Sequence, residues 1–239
     1  MKTPFPKAIL FDLDDTILSF SGSSETCWKE VCERYAERLP GITPEGLLKA
    51  ILEYAHWYWG DAARHKRGRL NMQQARREVV AGAFLSLKID NPSLADEIGD
   101  AFTARRQTSV SLFPGAVETL TRLKGQGVKL GLVTNGTSED QRGKIERFGL
   151  APFFDCILIE GENGFGKPEL EVFELALQRL EVRAEQAWMV GDNLVWDIET
   201  PQKLGIKTIW VDFASQGLPE GSLIQPDRII HSIAELVEK

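Results

Sequence analysis

Cysteine is scarce in this chain. Cys27, Cys32 and Cys156 are its three thiols in 239 residues, with no CxxC pair and no histidine nearby at zinc spacing. That pattern argues against a disulfide scaffold or a structural zinc site and fits a reduced, cytoplasmic protein. Long apolar runs are also missing. No stretch approaches the roughly 18 apolar residues that a membrane span requires. The first apolar run is broken by Asp12 after four residues, so no basic-then-apolar leader is read at the start. Positive charge is in deficit: 28 Lys and Arg against 35 Asp and Glu leave a net charge of −7. A nucleic-acid polymer is therefore not an expected partner, although a local basic patch can still hold an anionic metabolite. Internal repeats and low-complexity segments are absent.

What is present is ordinary for a globular chain: 43% hydrophobic and 26% charged residues. The length allows one α/β domain with an insertion, or two small domains. Ala8 to Phe11 reads as a short strand buried on both faces. Residues 16–24, rich in Ser and Gly, read as a loop. Apolar stripes at helical spacing then follow, with Thr43-Pro44 as a cap and first helical position. Residues 20–107 are expected to form an all-helical insert, in which the basic run 64–69 separates two of the helices. From Pro114-Gly115 onward, helix and strand alternate. Strands are expected at 129–134, 154–159, 187–190, 207–211 and 228–230, with helices near 115–125, 138–148, 168–180, 194–203 and at the end of the chain. That rhythm predicts a doubly wound, mostly parallel sheet from residues 1–19 and 108–239.

Chemistry gathers at the carboxyl ends of the strands, where open α/β sheets bind ligands. The first strand delivers Asp12, Asp14 and Asp15 within four positions. Such a cluster is costly unless a cation or bound donors offset the repulsion, although a solvated acidic turn is the plain alternative. Thr134-Asn135-Gly136 ends another strand ahead of a capping pattern, Thr137 to Asp140, so its backbone N–H groups suit an anion; Asn135-Gly136 is also a common tight turn. Lys167-Pro168 opens a helix, where a cation is mildly unfavourable unless an anion shares the site; an exposed surface lysine is the other reading. Gly191-Asp192-Asn193 ends a further strand, with Asp197 five positions beyond Asp192. Asp197 is either a favourable acid in a first helical turn or part of a hard oxygen site suited to Mg²⁺.

Phe11-Asp12-Leu13-Asp14-Asp15-Thr16, Thr134-Asn135-Gly136, Lys167-Pro168 and Gly191-Asp192-Asn193 with Asp197 stand in the order and spacing of the four motifs of the haloacid dehalogenase (HAD) superfamily. The chain resembles that superfamily over its whole α/β part, and the insert matches the family's helical cap. The resemblance implies a HAD-like, Rossmannoid fold and a set of roles. Asp12 resembles the nucleophile that forms an aspartyl phosphate, and Asp14 the general acid and base. Asp12, the Asp14 backbone carbonyl and Asp192 would hold Mg²⁺, with Asp197 in support. Thr134, the Asn135–Gly136 backbone and Lys167 would hold the transferring phosphoryl group. Thr16 would brace the loop. Asp14 favours attack at phosphorus over carbon, because dehalogenases of this family need no acid there.

The expected activity is phosphate removal from a small phosphorylated metabolite by a monomer or homodimer, with no membrane partner. A phosphomutase or dehalogenase of the same fold, or a non-catalytic binding module, is the alternative. Within the insert, His56 to Trp59 and Arg64 to Arg69 are the most distinctive stretches. They read chiefly as packing and solvated surface, with Arg64 or Arg67 the residue expected to contact substrate.

Overall fold

A computed structural model describes residues 5–237 and divides the chain into two compact units. One comprises the chain up to Ser19 and again from Ser111; the other is Phe20–Val110. Strand β1 (Ala8–Phe11) lies in the first unit, and all four of its side chains are fully shielded from solvent. Burying Ile9, Leu10 and Phe11 contributes about 1.5–3 kcal/mol each. That exceeds the backbone ordering cost of about 1–2 kcal/mol per residue. The next stretch, expected as loop, contains strand β2 (Leu18–Ser19) and a 3-10 turn, Ser21–Ser23. Ile17 and Leu18 are fully buried, which holds the chain in place here despite its polar flanks.

The second unit is a bundle of five helices: α1 (Ser24–Tyr35), α2 (Pro44–Trp59), α3 (Ala62–Arg69), α4 (Met72–Ser86) and α5 (Pro92–Ser109). Local chemistry sets their starts. Thr43 accepts from the Gly46 N–H at 3.1 Å, Asp61 from Arg64 at 2.9 Å and Asn91 from Leu94 at 3.2 Å. Helix α3 occupies the basic run, where no apolar stripe announces it. The expected return to the α/β unit at residue 108 falls inside α5. Leu47, Ile51, Val79, Val80 and Ile98 build the bundle core, and Trp28 stacks on Phe102 with ring centroids 3.6 Å apart. Helices α4 and α5 touch closely enough that a methyl on Gly99 would lie 2.9 Å from the Arg77 backbone. Beside that contact Arg77 donates twice to Asp100, at 2.8 and 2.6 Å.

The first unit resumes with β3 (Ser111–Leu112), antiparallel to β2. There follow α6 (Ala116–Gly125), β4 (Lys129–Thr134), α7 (Ser138–Arg147), β5 (Cys156–Ile159), a single-turn α8 (Glu160–Asn163), α9 (Leu170–Leu180), β6 (Ala187–Gly191), β7 (Lys207–Val211) and β8 (Arg228–Ile230). Six strands make one parallel sheet in the order β5-β4-β1-β6-β7-β8. The chain runs outward from β1 through β4 and β5, then returns to the other side of β1 as β6. Strand β1 is thus the topological switch point, where ligands bind in such sheets.

Three local expectations change. The helix expected from 168 begins at Leu170, and Pro168 stands before it, joined to Lys167 by a cis peptide. Residues 194–203 form a wide π-helical turn, Leu194–Glu199, followed by the short helical turn Thr200–Gln202. Thr200 donates to the Val195 carbonyl, five residues back, a spacing that suits the wider turn. The closing helix is a 3-10 segment, Ile233–Leu236. Cys27, Cys32 and Cys156 are buried free thiols. Among the described residues, no helix is long and apolar enough to cross a membrane.

Candidate active site

Register brings the acidic strand ends together. Phe11 of β1 is paired with Val190 of β6, and the Asp12 N–H donates to the Val190 carbonyl at 2.9 Å. Asp12 and Asp192 therefore leave adjacent strands on the same side. The π-helical turn adds Asp197, and one carboxylate oxygen from each of the three lies within 4.8 Å of the others. A methyl on Gly191 would sit 2.4 Å from the Asp197 carboxyl carbon, so this strand end has room for a hydrogen only. Lys167 enters from the segment ahead of α9. It is 1% exposed, and its Nζ donates to Asp12 at 2.6 Å and Asp197 at 2.7 Å. The other Asp197 oxygen accepts from the Asn193 N–H at 3.0 Å.

Burial sets the electrostatics of this cluster. It pushes the Asp12 carboxyl up to about 7, against the pull of Lys167 and with repulsion from Asp197. Burial also raises Asp192 to about 9, with the Asp12 and Asp197 carboxylates adding to the shift. Lys167 also pays for burial, yet the Asp12 and Asp197 carboxylates hold it above its ordinary range. Once Asp12 and Asp192 give up their protons, three carboxylates facing one ammonium leave an excess of negative charge. Oxygen donors in that arrangement fit a hard divalent cation. Asp12 and Asp192 are the residues that would hold it. Asp197 has both oxygens engaged, by Lys167 and by Asn193, and braces the cluster.

The remaining motif residues fall around the same strand ends. Asp14 receives Lys144 of α7 on both oxygens, at 2.9 and 2.6 Å, and the Gln141 side-chain amide at 3.2 Å. The Thr134 hydroxyl accepts from the same Gln141 amide, which leaves its own proton to donate. Asn135 brackets the Lys167 backbone: Oδ1 accepts from its N–H at 2.8 Å and Nδ2 donates to its carbonyl at 2.6 Å. The Gly136 N–H, expected to face an anion, donates instead to the buried Glu160 carboxylate at 3.2 Å. Thr137 caps α7 as its pattern suggested, accepting from the Asp140 N–H at 3.1 Å.

Arg64 and Arg67 lie in the helical unit and have partners within it. Arg64 donates to the carbonyls of Tyr58 and Trp57, at 3.2 and 2.6 Å, and lies over the Trp57 ring at 3.8 Å. Arg67 faces Glu78 at 3.6 Å and the Tyr58 ring. Both tie α3 to its neighbours.

Gln141, Lys144 and Glu160 escaped the sequence reading. Gln141 left a trace. It shares the inward face of α7 with Ile145, four residues on, and a buried amide in such a stripe signals a polar partner. Lys144 and Glu160 left none, because their partners lie far along the chain.

The family model for haloacid dehalogenase-like hydrolases matches residues 6–205. A phosphoserine phosphatase from Thermus thermophilus is 31% identical, over 96% of this chain and 97% of its own length. A ribulose-1,5-bisphosphate 5-phosphatase from Halopiger xanaduensis is 33% identical, over 86% and 84%. The HAD-hydrolase YfnB from Bacillus subtilis, solved bound to magnesium, shares the fold with a TM-score of 0.74 and 24% identity, over 98% and 97% of the two chains. With the family model covering most of its length and relatives of this similarity, the chain belongs to the haloacid dehalogenase-like hydrolases.

Proposed function

We propose that the chain removes phosphate from a small phosphorylated metabolite through an aspartyl phosphate on Asp12, with Mg²⁺ held at Asp12, Asp192 and the Asp14 backbone carbonyl. The chain is a phosphatase-type hydrolase of its family, a phosphoric monoester hydrolase. The observation that carries the mechanism is the cluster of buried Asp12 and Asp197 and half-buried Asp192 around Lys167.

In the first step a carboxylate oxygen of Asp12 attacks phosphorus, and the bond from phosphorus to the leaving oxygen breaks. Asp14 gives that oxygen its proton and becomes a carboxylate. In the second step Asp14 takes a proton from water as the water oxygen attacks the aspartyl phosphate. Inorganic phosphate leaves, Asp12 returns as a carboxylate and Asp14 as an acid. Lys167, the Thr134 hydroxyl and the Asn135 backbone N–H hold the phosphoryl oxygens, which need positioning and positive charge above all. Gly136 contributes loop shape at φ 119° rather than a donor, since its N–H is taken by Glu160. Bound Mg²⁺ would supply positive charge to the same oxygens. Asp197 and Asn135 keep Lys167 in place. Arg64 and Arg67 are assigned to the packing of the helical unit.

The relatives' names cover an amino-acid phosphate and a sugar bisphosphate, so the substrate here is taken no further than a phosphorylated metabolite. Buried free thiols suit a cytoplasmic setting. The test is colorimetric phosphate release from amino-acid phosphates, sugar phosphates and nucleotides, with Mg²⁺ and then with chelator. Release that survives chelation would remove the metal site, and no release from any of them would remove the activity.

A further inference from the structure

We propose that Gln141 and Lys144 of α7 form a clamp that positions the Asp14 carboxylate for its proton transfers. The inference rests on the reading of Asp14 as proton donor to the leaving oxygen. Lys144 Nζ reaches both Asp14 oxygens, at 2.9 and 2.6 Å, and also donates to Gln141 Oε1 at 2.8 Å. Gln141 spends the two hydrogens of its amide on Asp14 and on the Thr134 hydroxyl. Only one orientation of that amide is possible. Turned over, it would set NH₂ against the Lys144 ammonium and its oxygen against the Asp14 carboxylate.

The clamp is local to the reaction in three respects. Gln141 is 2% exposed, so its hydrogen bonds are made within the site rather than to solvent. The Lys144 ammonium reaches Asp14, 130 residues away in sequence, so the contact is made by the tertiary fold. Asp14 itself sits on a tight turn, followed by Asp15 at φ 60°. A carboxylate on such a turn has several rotamers open to it, and the two α7 side chains select one. The same Gln141 amide orients Thr134, so a single side chain fixes both the proton carrier and a phosphoryl ligand.

The experiment separates positioning from fold by the leaving group. An alkoxide needs a proton as it departs, whereas p-nitrophenolate leaves without one. Phosphoserine and glycerol 3-phosphate are compared with p-nitrophenyl phosphate, using Lys144→Met, Lys144→Arg, Gln141→Leu and Asp14→Asn, each checked by thermal melting. For Lys144→Met we expect kcat on the alkyl phosphates to fall about tenfold to a hundredfold with KM little changed, a fraction of the general-acid contribution. The pre-steady-state burst of p-nitrophenolate, which reports the first step alone, should stay within about threefold of wild type, while steady turnover of this substrate also falls because attack of water uses Asp14. Lys144→Arg should recover most of the loss, and Gln141→Leu should also raise KM by loosening Thr134. Suppose Asp14→Asn discriminates between leaving groups in the first step, but folded Lys144→Met slows that step for both substrates equally or for neither. The clamp is then overturned and the role of Asp14 stands. If Asp14→Asn itself spares the alkyl phosphates, the underlying reading falls and the clamp with it. Should Gln141→Leu fail to fold, the two Lys144 variants decide the matter alone.

Discussion

Lys167 is the residue on which the site's electrostatics turn. Its ammonium answers Asp12 and Asp197, and Asp192 remains as a third carboxylate at the same strand ends. A native Asp192 raised to about 9 binds its proton more tightly than the unfolded chain does, where the ordinary value is 3.8. The native state then holds more protons than the unfolded one, and stability of the metal-free protein falls as pH rises between those two values. A divalent cation must displace that proton, so it stabilises the fold more as pH rises. At a fixed Mg²⁺ concentration, the gain in melting temperature should be larger near about pH 8.5 than near about pH 6. A gain of equal size at both, or none, would contradict the metal assignment. Asp12→Asn is the complementary change. It removes the nucleophile and one unit of buried negative charge, while Lys167 keeps Asp197 as its partner. Phosphate release should fall more than about a thousandfold, the scale of a lost nucleophile. The melting temperature should hold or rise, because burial disfavours the ionised Asp12 carboxyl that the change removes. An Asn variant with normal turnover would refute the covalent route.

Elements differ in how much of themselves they show in sequence. Strands β4 and β7 begin and end where their patterns place them, because apolar burial and punctuating glycines are local signals. Helix α2 was announced by Thr43-Pro44, whose chemistry is complete within a few residues. Helix α3 was hidden, since a charged run lacks an apolar stripe and its start depends on Asp61. The two-residue ribbon and the π-helical turn are too short for any period to register. The site follows the same rule. Asp12, Lys167 and Asp192 stand in motifs, whereas the Lys144–Asp14 and Gly136–Glu160 contacts depend on tertiary folding. Two helical glycines test the packing account from opposite sides. A methyl on Gly82 of α4 would lie 2.0 Å from the Tyr54 ring of α2, so Gly82→Ala should cost about 1–3 kcal/mol of overpacking. Gly143 of α7 has nothing within 4 Å of a new methyl, and Gly143→Ala should stabilise by about 0.5–1 kcal/mol. Urea midpoints measure both: no cost from Gly82→Ala would show that α4 does not pack against α2 as described, and a loss from Gly143→Ala would show that α7 is closed to a methyl there.

At the scale of the whole molecule, the chain leaves and re-enters the α/β unit through a two-residue ribbon. Leu18 pairs with Leu112 and Ser19 with Ser111, antiparallel, so the chain leaves the α/β unit and re-enters it at neighbouring positions. An insertion between such ends adds little closure entropy to the host, because the ribbon closes the loop before the insert begins. Each unit also has an apolar cluster of its own: Trp28, Ile51, Val80 and Ile98 in one, Leu10, Val133, Phe173 and Met189 in the other. Replacing Phe20–Val110 by a two-residue Asn-Gly turn, which suits an antiparallel ribbon, should therefore leave a folded parallel sheet. The carboxylate cluster lies wholly in the retained unit, so Mg²⁺ should still raise the melting temperature of the shortened protein. Circular dichroism and thermal melts with and without Mg²⁺ read the two outcomes separately. A shortened chain that stays unfolded would mean that the sheet depends on the helical unit for stability. A folded chain without a Mg²⁺ response would mean that the cluster needs residues from outside its own unit.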